Sequence, residues 1–455
     1  MSPTLATTTR VVVVGGGLAG LSAACELATR GLPVTVLEGR NRFGGATFSF
    51  TREGMKVDNG QHVLLRCYDH YRAFVERIGT ATAIGLQRRF TMPLRNGSGT
   101  STALRRTGGP APFHLLAGLA GYDLLAVTDR LRVAVGALAM RRLDPSAPGL
   151  DRISFGAWLR QHGQNTATIT ALWNLFTVAA LNADADDASL ALAAKVFRTG
   201  LLDRADAADI GIPLLPLDEL HVQPALDYLT AYGAQTHHNT PVRGITSCDS
   251  GYVVELDETE LYADAVVVAT PPETAVKLCP ATAQLQPQRL RELGAAPIVN
   301  VHVVFERPVM DTTFIAVVGS PVQFVFDRTG PSGISVGQYL TVSVSAAQQW
   351  IDVPTARVRA VFLTELTRLF PAAASTSVRD FFVTRERRAT FHQAPGTRRL
   401  RPPTATALPG LVLAGAWTDT GWPDTMEGAV RSGNDAAAAV VDQLTRREDT
   451  REVVR

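Results

Sequence analysis

Apolar residues recur along this chain at two spacings, and the switches between them outline its elements. Val11, Val12, Val13 and Val14 form an unbroken β-branched run, the mark of a short strand buried on both faces. Gly15 ends it. Apolar residues then recur at helical spacing over 21–28 until Gly31 stops the helix. Residues 34–37 make a second apolar strand with Glu38 at its carboxyl end. The chain thus opens as strand, tight turn, helix, strand.

Further on, residues 47–57 alternate as a hairpin, and 68–79 read as an amphipathic helix that begins a cap. Residues 113–140 are rich in Leu, Ala and Val, interrupted by His114, Asp123, Asp129, Arg130 and Arg132. This stretch reads either as a greasy entrance helix resting on a membrane or as an ordinary cap helix pair packed on the core. Ser154 is placed as the N-cap of a helix over 155–162, and further helices are expected at 167–181, 189–202 and 225–232. Strands follow at 234–238 and from 241, with a hairpin at 252–262 and a buried strand running to Thr270. Residues 298–305, 314–318, 322–326 and 340–345 read as strands of a second sheet, and 355–370 as a helix that Pro371 stops. A last buried strand over 411–414 ends at Gly415, and a helix starts near Thr425.

At 455 residues the chain exceeds one typical core, so two domains are expected. A formal charge of +2 is too mild to argue for nucleic acid. Cys25, Cys67, Cys248 and Cys279 are scattered without a C-x-x-C, which argues against disulfide-reductase chemistry and thiolate zinc sites and suits a cytosolic setting. Residues 1–10 are polar and threonine-rich with no apolar core, so secretion is not expected. No run reaches the roughly eighteen uncharged apolar residues that a spanning helix needs. The expectation is a cytoplasmic protein, soluble or peripheral at the inner face of the cell membrane. Asp184, Asp186 and Asp187 lack the glycine and terminal glutamate of a calcium loop, and no metal site is expected.

The chemistry begins at Gly15, Gly17 and Gly20, a G-x-G-x-x-G between strand and helix. Gly15 allows the sharp turn, Gly17 lets backbone approach a pyrophosphate, and Gly20 lets helix pack on strand. The helix start offers unpaired N–H groups to phosphate. Glu38, eighteen residues past Gly20, is placed to accept ribose hydroxyls and repel a 2′-phosphate. Strand, helix, second strand and acid all fall at the spacing of a dinucleotide-binding unit.

The next residues narrow the ligand. Glu38-Gly39-Arg40-Asn41-Arg42-Phe43-Gly44-Gly45 resembles the E-x-R-x-R-x-G-G signature of the FAD-containing amine oxidase and phytoene desaturase superfamily. Asp58-Asn59-Gly60-Gln61-His62 resembles the bacterial hydroxysqualene dehydroxylases within it, and Pro216-Leu217-Asp218-Glu219-Leu220 is another family-like string. The run Ala414-Gly415-Ala416-Trp417-Thr418, followed by Thr425-Met426-Glu427-Gly428-Ala429-Val430, resembles the motif that closes these chains. Two departures stand out: Ala416 replaces the family's aspartate and Asp424 its alanine.

This resemblance implies an α/β fold: a Rossmann-like FAD-binding domain of the glutathione reductase type with an inserted α+β substrate domain and helical cap. The FAD domain is expected to be discontinuous, over 1–70, 213–290 and 400–445; the substrate and cap domain takes 71–212 and 291–399, leaving a flexible tail at 446–455. The residues implied to hold FAD are Gly15, Gly17, Leu18, Ala19, Gly20, Glu38, Gly39, Arg40, Gly44, Gly45, Ala46, Gly60, Gln61, His62, Val242, Gly415, Trp417, Thr425 and Met426. His62 reads either as a general acid or hydrogen-bond donor beside the flavin, or as a residue that merely orders its turn. The implied activity is hydride transfer from reduced FAD to an allylic cation-like centre, converting hydroxysqualene to squalene. The substrate is then a long apolar isoprenoid. No second glycine fingerprint supplies NAD(P)H, so an external reductant or redox partner is implied. A carotenoid or polyprenoid desaturase is the alternative enzyme. A non-enzymatic prenyl-lipid carrier resembling the GDP dissociation inhibitors is the alternative of another class, and the intact glycine fingerprint argues against it.

Overall fold

Residues 11–14 are valines because nothing polar is tolerated where they lie: three of the four are fully buried and Val14 is 4% exposed. In the computed structural model, which describes residues 8–97 and 99–453, they belong to the strand Thr8–Val14 at the centre of the first sheet. That strand pairs in parallel with Val34–Leu37 on one side and Glu260–Val268 on the other. Gln235–His237 extends the sheet beyond Val34–Leu37. Glu260–Val268 changes partner along its length. Its first half forms an antiparallel hairpin with Gly251–Glu255, and its second half runs parallel to Leu411–Leu413. Segments from the start, middle and end of the chain therefore build one sheet.

The closing helix, Met426–Val453, packs along Leu18–Thr29. The two approach so closely at Gly433 that a Cβ there would run into Ser22 Oγ and the Ala19 carbonyl oxygen. Residues 446–453, expected as tail, are helical; 454 and 455 lie outside the described residues.

The second sheet has the order Val378–Thr390, Ala296–Phe305, Gln338–Val344, Phe324–Asp327, Phe314–Val318, Thr91–Asn96, Ser101–Arg105. One part of it packs on the helix Thr355–Leu369 through Val301, Val342, Phe362 and Leu366. At its other end Met92, Leu94, Phe314 and Phe326 join a core with the helices Phe155–Gln161, Asn174–Leu181 and Leu190–Phe197. Ser154 caps the first of these by accepting the Ala157 N–H at 3.2 Å, and Ser189 caps the last. Three strands of this sheet were not anticipated. Val378–Thr390 is arginine-rich, and Thr91–Asn96 and Ser101–Arg105 lie in a stretch expected to be cap.

Candidate active site

The glycine turn after Val14 forms a cradle that leaves no room for a side chain at most of its positions. Gly15 has φ +109°, and a Cβ there would collide with the Ala269 carbonyl oxygen. A Cβ on Gly20 would collide with the Gly15 carbonyl oxygen, so the helix Leu18–Thr29 sits directly on the turn. Gly44 and Gly45 also take positive φ, and a Cβ on Gly45 would lie 2.8 Å from Gly17 Cα. The Gly44 N–H donates to the Gly16 carbonyl at 2.8 Å, tying both glycine segments together. Gly17 differs: its φ is an ordinary −81°, and a Cβ would meet Gly45 Cα only at van der Waals distance, 3.5 Å.

The helix start is buried and no side chain caps it, so its first N–H groups and positive dipole end stay available to an anion. Glu38 is buried beside it, accepting the Gly16 N–H and the Arg40 N–H, each at 2.9 Å. These two bonds fix the carboxylate and leave lone pairs for further donors. Residues 237–240 run alongside: Glu38 N–H donates to the His237 carbonyl, and Thr240 N–H to that of Glu38. Val242 follows directly, and the adjacent Pro241 would touch a Cβ on Gly39. Arg40 and Ala46 are exposed on the rim.

The Asp58–His62 turn is held by residues far away in sequence. Asp58 is buried, forming an ion pair with Arg328 at 2.7 Å and accepting from Ser49 Oγ and the Leu217 N–H. Burial pushes its pKa up, against the pull of Arg328. Arg328 also donates to the Pro213 carbonyl at 2.7 Å, which explains the Pro216–Leu220 string: it is the bed for this pair. Asn59 ties the turn to Phe48 N–H and the Ala46 carbonyl, while Asn300 and Thr384 donate to the Asn59 carbonyl. The first sheet's neighbourhood is thereby stitched to the second.

His62 Nε2 and Asn300 Oδ1 are buried without a hydrogen-bond partner, and both residues lie beside Gly60. Such orphaned atoms next to a glycine cradle fit a polar cofactor edge. His62 does not fit the role of charged acid. Burial, with His221 and Arg328 nearby, pushes its pKa down to about 3, so its ring is neutral near pH 7. A neutral ring still offers one N–H donor and one acceptor nitrogen, which suits a hydrogen bond beside a cofactor. Gln61 lies with Lys56, Asp58, Arg328 and Tyr339 around one small cavity.

The closing motif brings the remaining expected residues to the same end of the sheet. Gly415 has φ +146°, and its N–H donates to Ser432 Oγ at 2.8 Å. Trp417 is buried and its indole N–H donates to the Thr270 carbonyl, one residue beyond the carbonyl that confines Gly15. Thr425 caps the closing helix by accepting the Gly428 N–H at 3.1 Å. Met426 packs into the core, so only its main chain faces the helix start. Glu427 was not anticipated. Fully buried, it accepts the His70 and Tyr71 N–H groups and pairs with Arg431 at 2.7 Å, bracing the helix Asp69–Arg77.

Ala416 carries no side-chain donor or acceptor, and its carbonyl accepts from Arg401 at 2.9 Å. Arg401 is buried and also donates to the carbonyls of Trp422 and Thr418, fixing the turn between strand and helix. The Asp424 Oδ2 accepts the Phe391 N–H at 2.8 Å, which leaves Oδ1 for another partner. Burial pushes its pKa up to about 6. The segment 391–393 is thus clamped against the helix start from both sides, since Gln393 Oε1 accepts the Asp424 N–H.

A buried, uncapped helix start, a fixed acid beside it and a closing helix at the same end of the sheet fit a dinucleotide-dependent flavoenzyme, and the chain belongs to the flavin containing amine oxidoreductases, whose family pattern matches residues 18–441. It is an FAD-dependent oxidoreductase. Among its relatives, the hydroxysqualene dehydroxylase of Rhodopseudomonas palustris is 30% identical over 448 residues, covering 95% of this chain and 98% of the relative. The 15-cis-phytoene desaturase of Glycine max is 25% identical over 452 residues, 95% of this chain and 79% of the relative. Putrescine oxidase bound to putrescine shares the fold, with a TM-score of 0.70 at 21% identity over 97% of this chain and all of the other.

Proposed function

We propose that this enzyme reduces hydroxysqualene to squalene, replacing an allylic hydroxyl with hydride. The full-length similarity to hydroxysqualene dehydroxylase carries the reading. Atoms balance when the hydroxyl leaves with one proton as water and a hydride takes its place on carbon. Reduced FAD supplies that hydride when bound, and an external reductant restores it.

The chain's own residues have three tasks. The first is binding: Gly15, Gly17, Gly20, Gly44 and Gly45 admit the pyrophosphate, Glu38 takes the ribose, and Val242 and Trp417 flank the two ends. The helix starting at Met426 places its positive end where negative charge must be held. The third task is to protonate the leaving oxygen, since bare hydroxide leaves poorly. Asp424, at the start of the closing helix, is a candidate beside His62: burial pushes its carboxyl up to about 6, so a fraction stays protonated near neutrality, while burial pushes the His62 ring down. His62 then donates a hydrogen bond from its neutral ring. On this reading the FAD domain comprises 1–70, 213–290 and 400–445, and the intervening segments form the substrate domain and cap. The substrate partitions into lipid, so the enzyme meets it at a membrane surface.

Anaerobic incubation of photoreduced enzyme with hydroxysqualene tests this. Squalene formation with matching reoxidation of bound flavin is expected; bound flavin that stays reduced refutes the reading. The similarity to phytoene desaturase favours hydride removal from a polyprenoid as the second reading, and oxidised enzyme incubated with phytoene discriminates the two.

A further inference from the structure

Large apolar side chains stand exposed at twelve described positions, and half of them fall between Phe113 and Leu138. The concentration marks a local patch, not the usual scatter. The helix Val127–Arg141 contributes Val127, Leu131, Val135 and Leu138, exposed at 68%, 64%, 62% and 47%. At about 100° per residue these four fall within one sector of about 80°, running about 17 Å along the axis. Val133, Gly136 and Met140 are buried and lie on the opposite side. The helix therefore packs on the cap with one face and turns a second apolar face outward. Phe113 and Leu116, at 57% and 49%, continue the patch from the preceding turn.

Charge decides what covers it. Arg130 and Arg141 project from one flank of the stripe and Arg132 from the other, with Arg142 at its end, by the same angular count. Arg105, Arg141 and Arg142 are exposed and have no acidic partner among the described residues. Arg105 belongs to the strand beside the patch, its main chain against Gly118. The acids nearby are occupied: Asp123 pairs with Arg130, Asp129 with Arg132, and Asp144 accepts from Ser146. An apolar stripe bordered by free arginines matches a bilayer with anionic headgroups, the stripe entering the acyl boundary and the arginines snorkelling to phosphate. A second copy of this chain would bring arginines against arginines. No described helix is long and apolar enough to cross a membrane, so the contact lies in the interface plane.

We propose that the face formed by Phe113, Leu116, Val127, Leu131, Val135 and Leu138, with Arg105, Arg141 and Arg142, docks the protein on anionic membrane surfaces. The inference deepens the proposed function, since a lipid-resident substrate gives docking its purpose, but the two are tested separately. Purified holoenzyme is sedimented with vesicles of phosphatidylcholine alone or mixed with phosphatidylglycerol. Binding to the mixed vesicles is expected, weaker on phosphatidylcholine. L131E/V135E should lower it at least about tenfold while keeping the parent's melting temperature and flavin content, because both positions are exposed. R141E/R142E should lose about fivefold per arginine removed, and only on the anionic vesicles. Binding in L131E/V135E equal to the parent overturns the proposal. So does a concentration-dependent dimer that this variant abolishes while the parent ignores vesicles. Turnover of hydroxysqualene in detergent should be unaffected by L131E/V135E, so a parent that binds vesicles without turning it over refutes the proposed function alone.

Discussion

Replacing Gly17 with valine should remove FAD and leave the fold standing, and the structure separates the two effects. Gly17 is the N-cap of Leu18–Thr29 with φ −81° and ψ 179°, a backbone open to every residue. A Cβ there would find Gly45 Cα at 3.5 Å, ordinary contact, so branching at this position starts from unstrained geometry. The fold then loses about 1 kcal/mol for an aliphatic residue at an N-cap. The cofactor loses far more. The added methyls stand over the uncapped helix start, where on the proposed assignment the pyrophosphate would take its main-chain hydrogen bonds. Displacing two such charge-assisted bonds, at about 1.5–3 kcal/mol each, weakens binding by about 3–6 kcal/mol. That is roughly a hundred- to ten-thousand-fold in Kd. The assay is flavin released per protein on denaturation, with thermal melts of both apoproteins. Gly20→Ala is the contrast, because its Cβ would strike the Gly15 carbonyl and unsettle the apoprotein itself. Parental flavin content in Gly17→Val refutes the assignment, as does an apoprotein that melts as low as Gly20→Ala.

Arg328→Ala should strand Asp58 as an uncompensated buried charge and cost about 3–5 kcal/mol in denaturant unfolding, with the double variant Asp58→Leu/Arg328→Met recovering most of it. A single variant within 1 kcal/mol of the parent sinks the idea that this pair pins the His62 turn. Asp424 has its folded pKa raised from 3.8 to about 6, so its neutral form is favoured by folding. The stabilisation it lends is complete below pH about 4 and is lost as pH rises through about 6, at most about 3 kcal/mol. Asp424→Asn should therefore gain on the parent as pH climbs from 4 to 7, and a pH-independent difference in melting temperature contradicts this. In turnover, Asp424→Asn should lose the fall in rate near pH 6 that deprotonation gives the parent, whereas His62→Ala should keep it; a fall lost with His62 instead returns the acid role to the imidazole.

The parts of this fold legible in sequence are those where each local choice agrees with the whole. Val11 to Val14 are buried on both faces, Gly15 has the positive φ its turn needs, Glu38 ends the next strand, and Thr425 supplies a hydroxyl cap three residues before the N–H it accepts. Each is a short-range pattern with a short-range cause. The strand Val378–Thr390 shows the opposite. Its arginines and half-buried residues give no clean alternation, and it is a strand because Ala296–Phe305 offers it an unpaired edge.

Electrostatics hid the rest of the site for the same reason. Asp58 and Arg328 lie 270 residues apart, and nothing near either announces the other. A sequence gives His62 only histidine's ordinary pKa; the downward push comes from burial and from His221 and Arg328, which only the folded chain brings to it. Asp424 stands where the family has alanine, and only the folded chain brings the Phe391 N–H to its carboxylate. A motif therefore locates a cofactor because glycines and caps act through their own backbone. The acid that serves the reaction is chosen by desolvation, and desolvation belongs to whatever packs around it. On the proposed function desolvation favours Asp424 over His62 as the proton donor, and the pH profiles of the two variants decide between them.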